Sequence, residues 1–186
     1  MSIRGIEFES VNVLDNESGL AAMRELGARS VPIVSQGAKF VFAQVLQDVV
    51  EFLGIDDDTG PKLSPVELAQ RYAHVLDTAV RITRQMPDSE LARELPNRPR
   101  SWRVLMHHVF QIPAAFMDSE QQGIVLTREE LVAAPPEDMV TTAQIVAFGE
   151  AVTERFSTWW DGANGEEFGG SVEAYFGHTS RHDLFE

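Results

Sequence analysis

Apolar and polar residues alternate over residues 6–13, IEFESVNV, the pattern of a strand with one covered face. The period then lengthens. Leu20, Met23 and Leu26 fall at helical spacing and predict a helix over 16–27, closed by Gly27. Two short apolar runs, residues 30–34 (SVPIV) and 39–43 (KFVFA), flank Gln36-Gly37 and predict a hairpin. Val45, Val49, Phe52 and Leu53 predict a helix over 44–53, ended by Gly54. The first quarter of the chain therefore reads β-α-β-β-α.

Periodicity stops over residues 55–63, IDDDTGPKL, which read as a linker. The three aspartates lack the loop length and closing glutamate of a calcium loop. Domain bounds follow: 1–55, a linker over 56–63, and 64–186. Ser64-Pro65-Val66-Glu67 opens the second part with a capping box and a proline in the first turn. Leu68, Tyr72, Leu76, Ala79, Val80 and Thr83 share one face of the helix that follows, which should end near Pro87. Residues 88–100, with Pro96 and Pro99 inside and Pro87 just before, read as loop. A second helix starts at Ser101 or Trp102, with Leu105, His108, Val109 and Ile112 inward, and Pro113 should kink or end it. Thr127-Arg128-Glu129-Glu130 is another capping box. A third long helix begins at Thr141 or Thr142, with Ile145, Phe148, Val152, Phe156 and Trp159 inward, and Gly162 ends it. The closing SVEAYFGHTSRHDLFE reads as the approach to a fourth helix, cut just as it begins. Three amphipathic helices leave a groove that a fourth normally fills.

Composition narrows the chemistry. The chain has 186 residues and no cysteine, so it cannot run thiol–disulfide exchange through a thiolate of its own. Its 29 acidic residues outweigh 15 basic ones, for a net charge of −14. Such a surface repels phosphate backbones and anionic lipids, which argues against nucleic-acid or membrane partners. Without a signal-peptide pattern or a spanning apolar run, a cytoplasmic location is expected.

Histidine is the remaining candidate for metal chemistry. His108 lies on the apolar face expected for the second helix, whereas His107 should point away from it. His178 and His182 are four apart and would share a face if helical. Three imidazoles on two helices would suit Zn²⁺ or Ni²⁺ with an open coordination position. The competing reading is plain: HxxxH is a short, common spacing, and a histidine on an apolar face is usually a hydrogen-bonded core residue. His74 earns no functional reading, and the tryptophans read as core or groove-lining rings.

Residues 5–54 resemble the C-terminal portion of a glutaredoxin. The features that carry this are GIEFESVNV, a helix ending RELGARSVPIV, a hairpin, and a helix ending EFLGI. The resemblance implies a cis Pro32, with Val31 offering its backbone N–H and C=O to the cysteine part of glutathione. Arg29 and the helix N-terminus near Gln44 complete the implied thiol site. The family's CxxC strand–helix is missing, and its Gly-Gly after the hairpin is Ala43-Gln44 here. Residues 61–186 resemble DinB/YfiT-like bundles through the capped first helix, NRPRSWRVLMHHVF and YFGHTSRHDLFE. That resemblance implies one metal histidine on the second helix, matched by His108, and an HxxxH pair on the fourth, for which His178 and His182 are imperfect matches.

The expected fold class is α+β: a shortened thioredoxin-like β-α-β-β-α unit followed by an antiparallel DinB-like bundle of three long helices and a partial fourth. Both parts read as incomplete. The two resemblances together imply a glutathione-linked, metal-dependent transferase-type protein, or a fragment of one, acting with a small-molecule thiol. The alternative is a non-catalytic thioredoxin-like binding or dimerisation protein, a homodimer formed through uncovered apolar surface.

Overall fold

A computed structural model describes residues 6–13, 15–43, 46–55, 63–96, 98–163 and 168–186. The chain mixes helix and sheet and divides into two compact units, Met1–Pro61 and Lys62–Glu186. All of the expected linker but Leu63 lies outside the described residues, as do Gln44 and the three linker aspartates.

In the first unit, α1 (Glu17–Glu25) starts where Asn16 accepts the Gly19 N–H in an N-cap, and it carries Glu17 in its first turn and Arg24 in its last. β1 (Ile33–Gln36) and β2 (Lys39–Phe42) pair antiparallel around Gly37, whose φ of 61° suits glycine in a tight turn. α2 (Leu46–Phe52) follows and buries Val49 and Val50. Residues 6–13 form no strand, although their alternation predicts one. A strand needs a ladder, and among the described residues β1 and β2 pair only with each other. Val11 is instead held beside Gly19 of α1, so close that a Cβ there would meet its methyl at 2.4 Å.

In the second unit, α3 (Pro65–Thr83), α4 (Trp102–Gln122) and α6 (Thr142–Ala163) pack around one core. The Ser64–Glu67 capping box forms, and α3 buries Leu68, Leu76, Val80 and Thr83 as its spacing predicts. Thr127 and Glu130 form the second capping box on the short α5 (Arg128–Leu131). α4 departs from expectation twice. It runs straight past Pro113, with buried Ala114, Ala115, Phe116 and Met117 fixing the turn beyond. Its inward face is Met106, His107, Phe110, Pro113 and Met117, while Ile112 is exposed. Two apolar stripes at helical period run along α4, and the one carrying the larger, continuous volume takes the core. α6 runs through Gly162, and Phe148 is half-buried, while Ile145, Val152, Phe156 and Trp159 are buried as expected.

The closing segment is not simply a helix entry. β3 (Ser171–Ala174) and β4 (Gly177–Ser180) form a second hairpin, and α7 (Arg181–Phe185) turns out of it under a Ser180 cap. α7 seats Phe185 among the rings of Tyr72, Phe116, Phe156, Trp159, Trp160 and Phe168 at centroid distances of 5.4–6.3 Å. Burial in this cluster pushes the Tyr72 phenol up to about 12.

Candidate functional site

In the first unit, α1 ends at Gly27, whose φ of 83° turns the chain, with the Ala28 N–H donating to Met23 O at 3.2 Å. Ala28 is buried and Arg29 is exposed. The Val31–Pro32 peptide is cis. The hairpin ladder reaches one step past β1, where the Ala43 N–H donates to Pro32 O at 2.9 Å. Val31 lies just outside it. The residue is 47% exposed, and among the described residues its backbone N–H and C=O make no hydrogen bond. Beside it, Ser30 Oγ is buried without a partner. A peptide group so placed can pair with an extended ligand by continuing the ladder.

The histidines expected as metal ligands do not gather. His108 is half-buried on α4. Gln111, one turn on, donates to Glu130 O at 2.9 Å. Gln111 thus satisfies one of the last carbonyls of a short helix. Burial first, then Arg100, holds the His108 pKa below the usual imidazole value. His107, expected to point away, is the buried one at 3% exposure, stacked on Phe148 at 5.1 Å with Nδ1 unpartnered. Its pKa is lowered by burial, then by Arg103 and His108. His178 and His182 do not share a helical face. His178 is exposed in β4 opposite Glu173, and His182 belongs to α7. β4 runs through Ser180 and α7 begins only at Arg181, so the segment that the HxxxH reading needed as one helix is part strand and part helix.

His182 has other company. Its Nε2 lies 2.7 Å from Leu63 O, the carbonyl that leads into the Ser64 cap of α3. Its Nδ1 is buried without a hydrogen-bond partner, 3.6 Å from Asp183 Oδ1. Among the described residues, His182, Asp183 and Glu186 form the one group of three or more metal-type ligands, all within 4.8 Å of one another. Spacing could not point to them: i, i+1, i+4 across a short terminal helix is no motif, and His182 is oriented by a carbonyl over a hundred residues away in sequence. α7 itself is pinned by the Arg181 guanidinium, which bonds Glu120 through Nε at 2.8 Å and Nη2 at 2.6 Å and lies 4.5 Å from the Phe168 ring centroid.

No helix among the described residues is long and apolar enough to cross a membrane. Compared with protein-family models, curated proteins and solved structures, the chain matches none.

Proposed function

We propose that this chain binds a low-molecular-weight thiol, of which glutathione is the type, at the Val31 peptide of its first unit and does so without disulfide chemistry. The observation that carries the reading is the exposed Val31 with an unbonded backbone N–H and C=O at the end of the hairpin ladder. The glutaredoxin resemblance supplies the ligand: an extended peptide whose central residue would take both bonds. With no cysteine in the chain, any thiol bound there keeps its own redox state unless a second reactant acts on it. The transferase step implied by the DinB-like resemblance would need a metal on the second unit, and His108, His178 and His182 are not arranged there to hold one together. Nuclear magnetic resonance tests the thiol reading. Millimolar glutathione should shift the Arg29 and Val31 amides, and Val31→Pro, which removes the N–H, should weaken binding at least tenfold. Unmoved Arg29 and Val31 resonances at millimolar ligand sink it.

The non-catalytic binding or dimerisation reading has one observation in its favour. Phe8, Val11 and Leu46 of the first unit are 51%, 42% and 59% exposed, a large apolar share for so small a unit.

A further inference from the structure

We propose that two copies of this chain pair by strand exchange, with residues 6–9 of each lying along the free edge of β1 in the other. The proposal rests on the dimerisation reading and names its interface. Hydrogen bonds fix which edge is free. In an antiparallel pair, bonded and non-bonded positions alternate. The Ala43 N–H donates to Pro32 O, so that position is a bonded one, and Val34 with Val41 and Gln36 with Lys39 follow in step. Ile33 and Ser35 therefore turn their N–H and C=O groups away from β2. Among the described residues nothing pairs with that edge, and Val31 just beyond it is also unbonded. No charge on Ile33–Gln36 blunts the edge, and the N–H that Pro32 lacks falls on the β2 side.

The same chain carries a strand-like segment without a ladder. Among the described residues, 6–11 make no backbone hydrogen bond. Within one chain the segment lies against α1, where Val11 meets Gly19, and not on β1. Ile6 and Phe8 fall on one face of an extended chain, and Glu7 and Glu9 on the other. Four residues match the length of β1, and the half-exposed Phe8 ring gains cover by docking. Charge fits as well. Arg29 before β1 and Lys39 at its turn end are exposed and make no ion pair among the described residues, and Glu7 and Glu9 supply the opposite sign. Pairing β1 against β1 of the other copy would leave Phe8 and its unbonded backbone uncovered. Reciprocal exchange is two-fold and gives each first unit a three-stranded sheet, which is more stable than a lone hairpin.

The test follows the full chain by sedimentation and by amide hydrogen exchange across protein concentration. A dimer should form as concentration rises, and the amides of Ile33, Ser35 and residues 6–9 should exchange more slowly in it than in dilute protein. Ser35→Pro removes an outward donor while Val34 and Gln36 keep the bonds to β2, so it should weaken the dimer by about tenfold or more. Phe8→Asp, on an exposed side chain, should do the same and serves if Ser35→Pro does not fold. A monomer at every concentration would overturn both the exchange and the dimerisation reading. A dimer untouched by both variants, or one in which Ile33 and Ser35 exchange as fast as in the monomer, would overturn the exchange and leave dimerisation standing on another surface. Protection of Ile33 and Ser35 without residues 6–9 would set β1 against β1 and likewise overturn it.

Discussion

A single turn of α4 shows how neighbouring residues divide their roles. His107 and His108 are adjacent, yet one is sealed against Phe148 and the other is half-buried. A charged His107 would sit buried beside the Arg103 guanidinium, which is engaged by the carbonyls of Met139 and Pro136. The pH consequence follows from the direction of the shift. In the unfolded chain imidazole titrates near about 6.5, and in the fold it titrates lower, so the neutral form is the one the fold favours. Stability from this group is complete above the unfolded value and is lost as pH falls toward the folded one. His108 acts in the same direction. Urea unfolding should therefore show lower stability at pH 5.5 than at pH 7.5, and His107→Phe should flatten that difference. Asp88 and Glu130, held low chiefly by backbone N–H donors at Thr142 and Thr127, release their contribution only in the more acid carboxylate range. A profile unchanged in His107→Phe would remove His107 from the account.

Among the elements, α7 shows how a short helix can be decisive. It is only five residues long, too short to be stable by itself. It is held by the Ser180 cap, by the Arg181–Glu120 ion pair, and by Phe185, which is 3% exposed within a cluster of rings from α3, α4 and α6. Phe185→Ala removes that ring and leaves a cavity, at a cost of about 3–5 kcal/mol to the second unit. The near-ultraviolet circular dichroism of Trp159 and Trp160 should weaken in parallel. Unfolding within about 1 kcal/mol of the parent would mean that α7 contributes little to the core.

On the scale of the whole molecule, charge and uncovered apolar surface pull in opposite directions. A net charge of −14 opposes self-association, whereas exposed Phe8, Val11 and Leu46 favour it. Salt screens the first far more than the second. If the dimerisation reading holds, sedimentation should show a dimer whose fraction grows with ionic strength and falls in a Phe8→Ser, Leu46→Ser double variant. A monomer at all salt concentrations would count against it.

The local features of the fold could be read from the chain alone because their causes are local. Ser64 and Glu67, or Thr127 and Glu130, cap a helix through atoms three residues apart. Leu68, Leu76 and Val80 share a face by helical period, and the hairpin around Gly37 follows from two apolar runs and a residue tolerant of positive φ. The absence of cysteine excluded disulfide chemistry without any coordinates. What the sequence could not decide depends on partners distant along the chain. Residues 6–13 have a strand's alternation but no ladder to join among the described residues. α4 carries two apolar stripes, and only packing against α6 chose Phe110 over Ile112 and so buried His107. His178 and His182 have helical spacing, but a hairpin ends between them, and His182 takes its orientation from Leu63 on a different element. Periodicity records what a segment can present, while tertiary packing decides which atoms meet, because burial and hydrogen-bond satisfaction are summed over the whole unit.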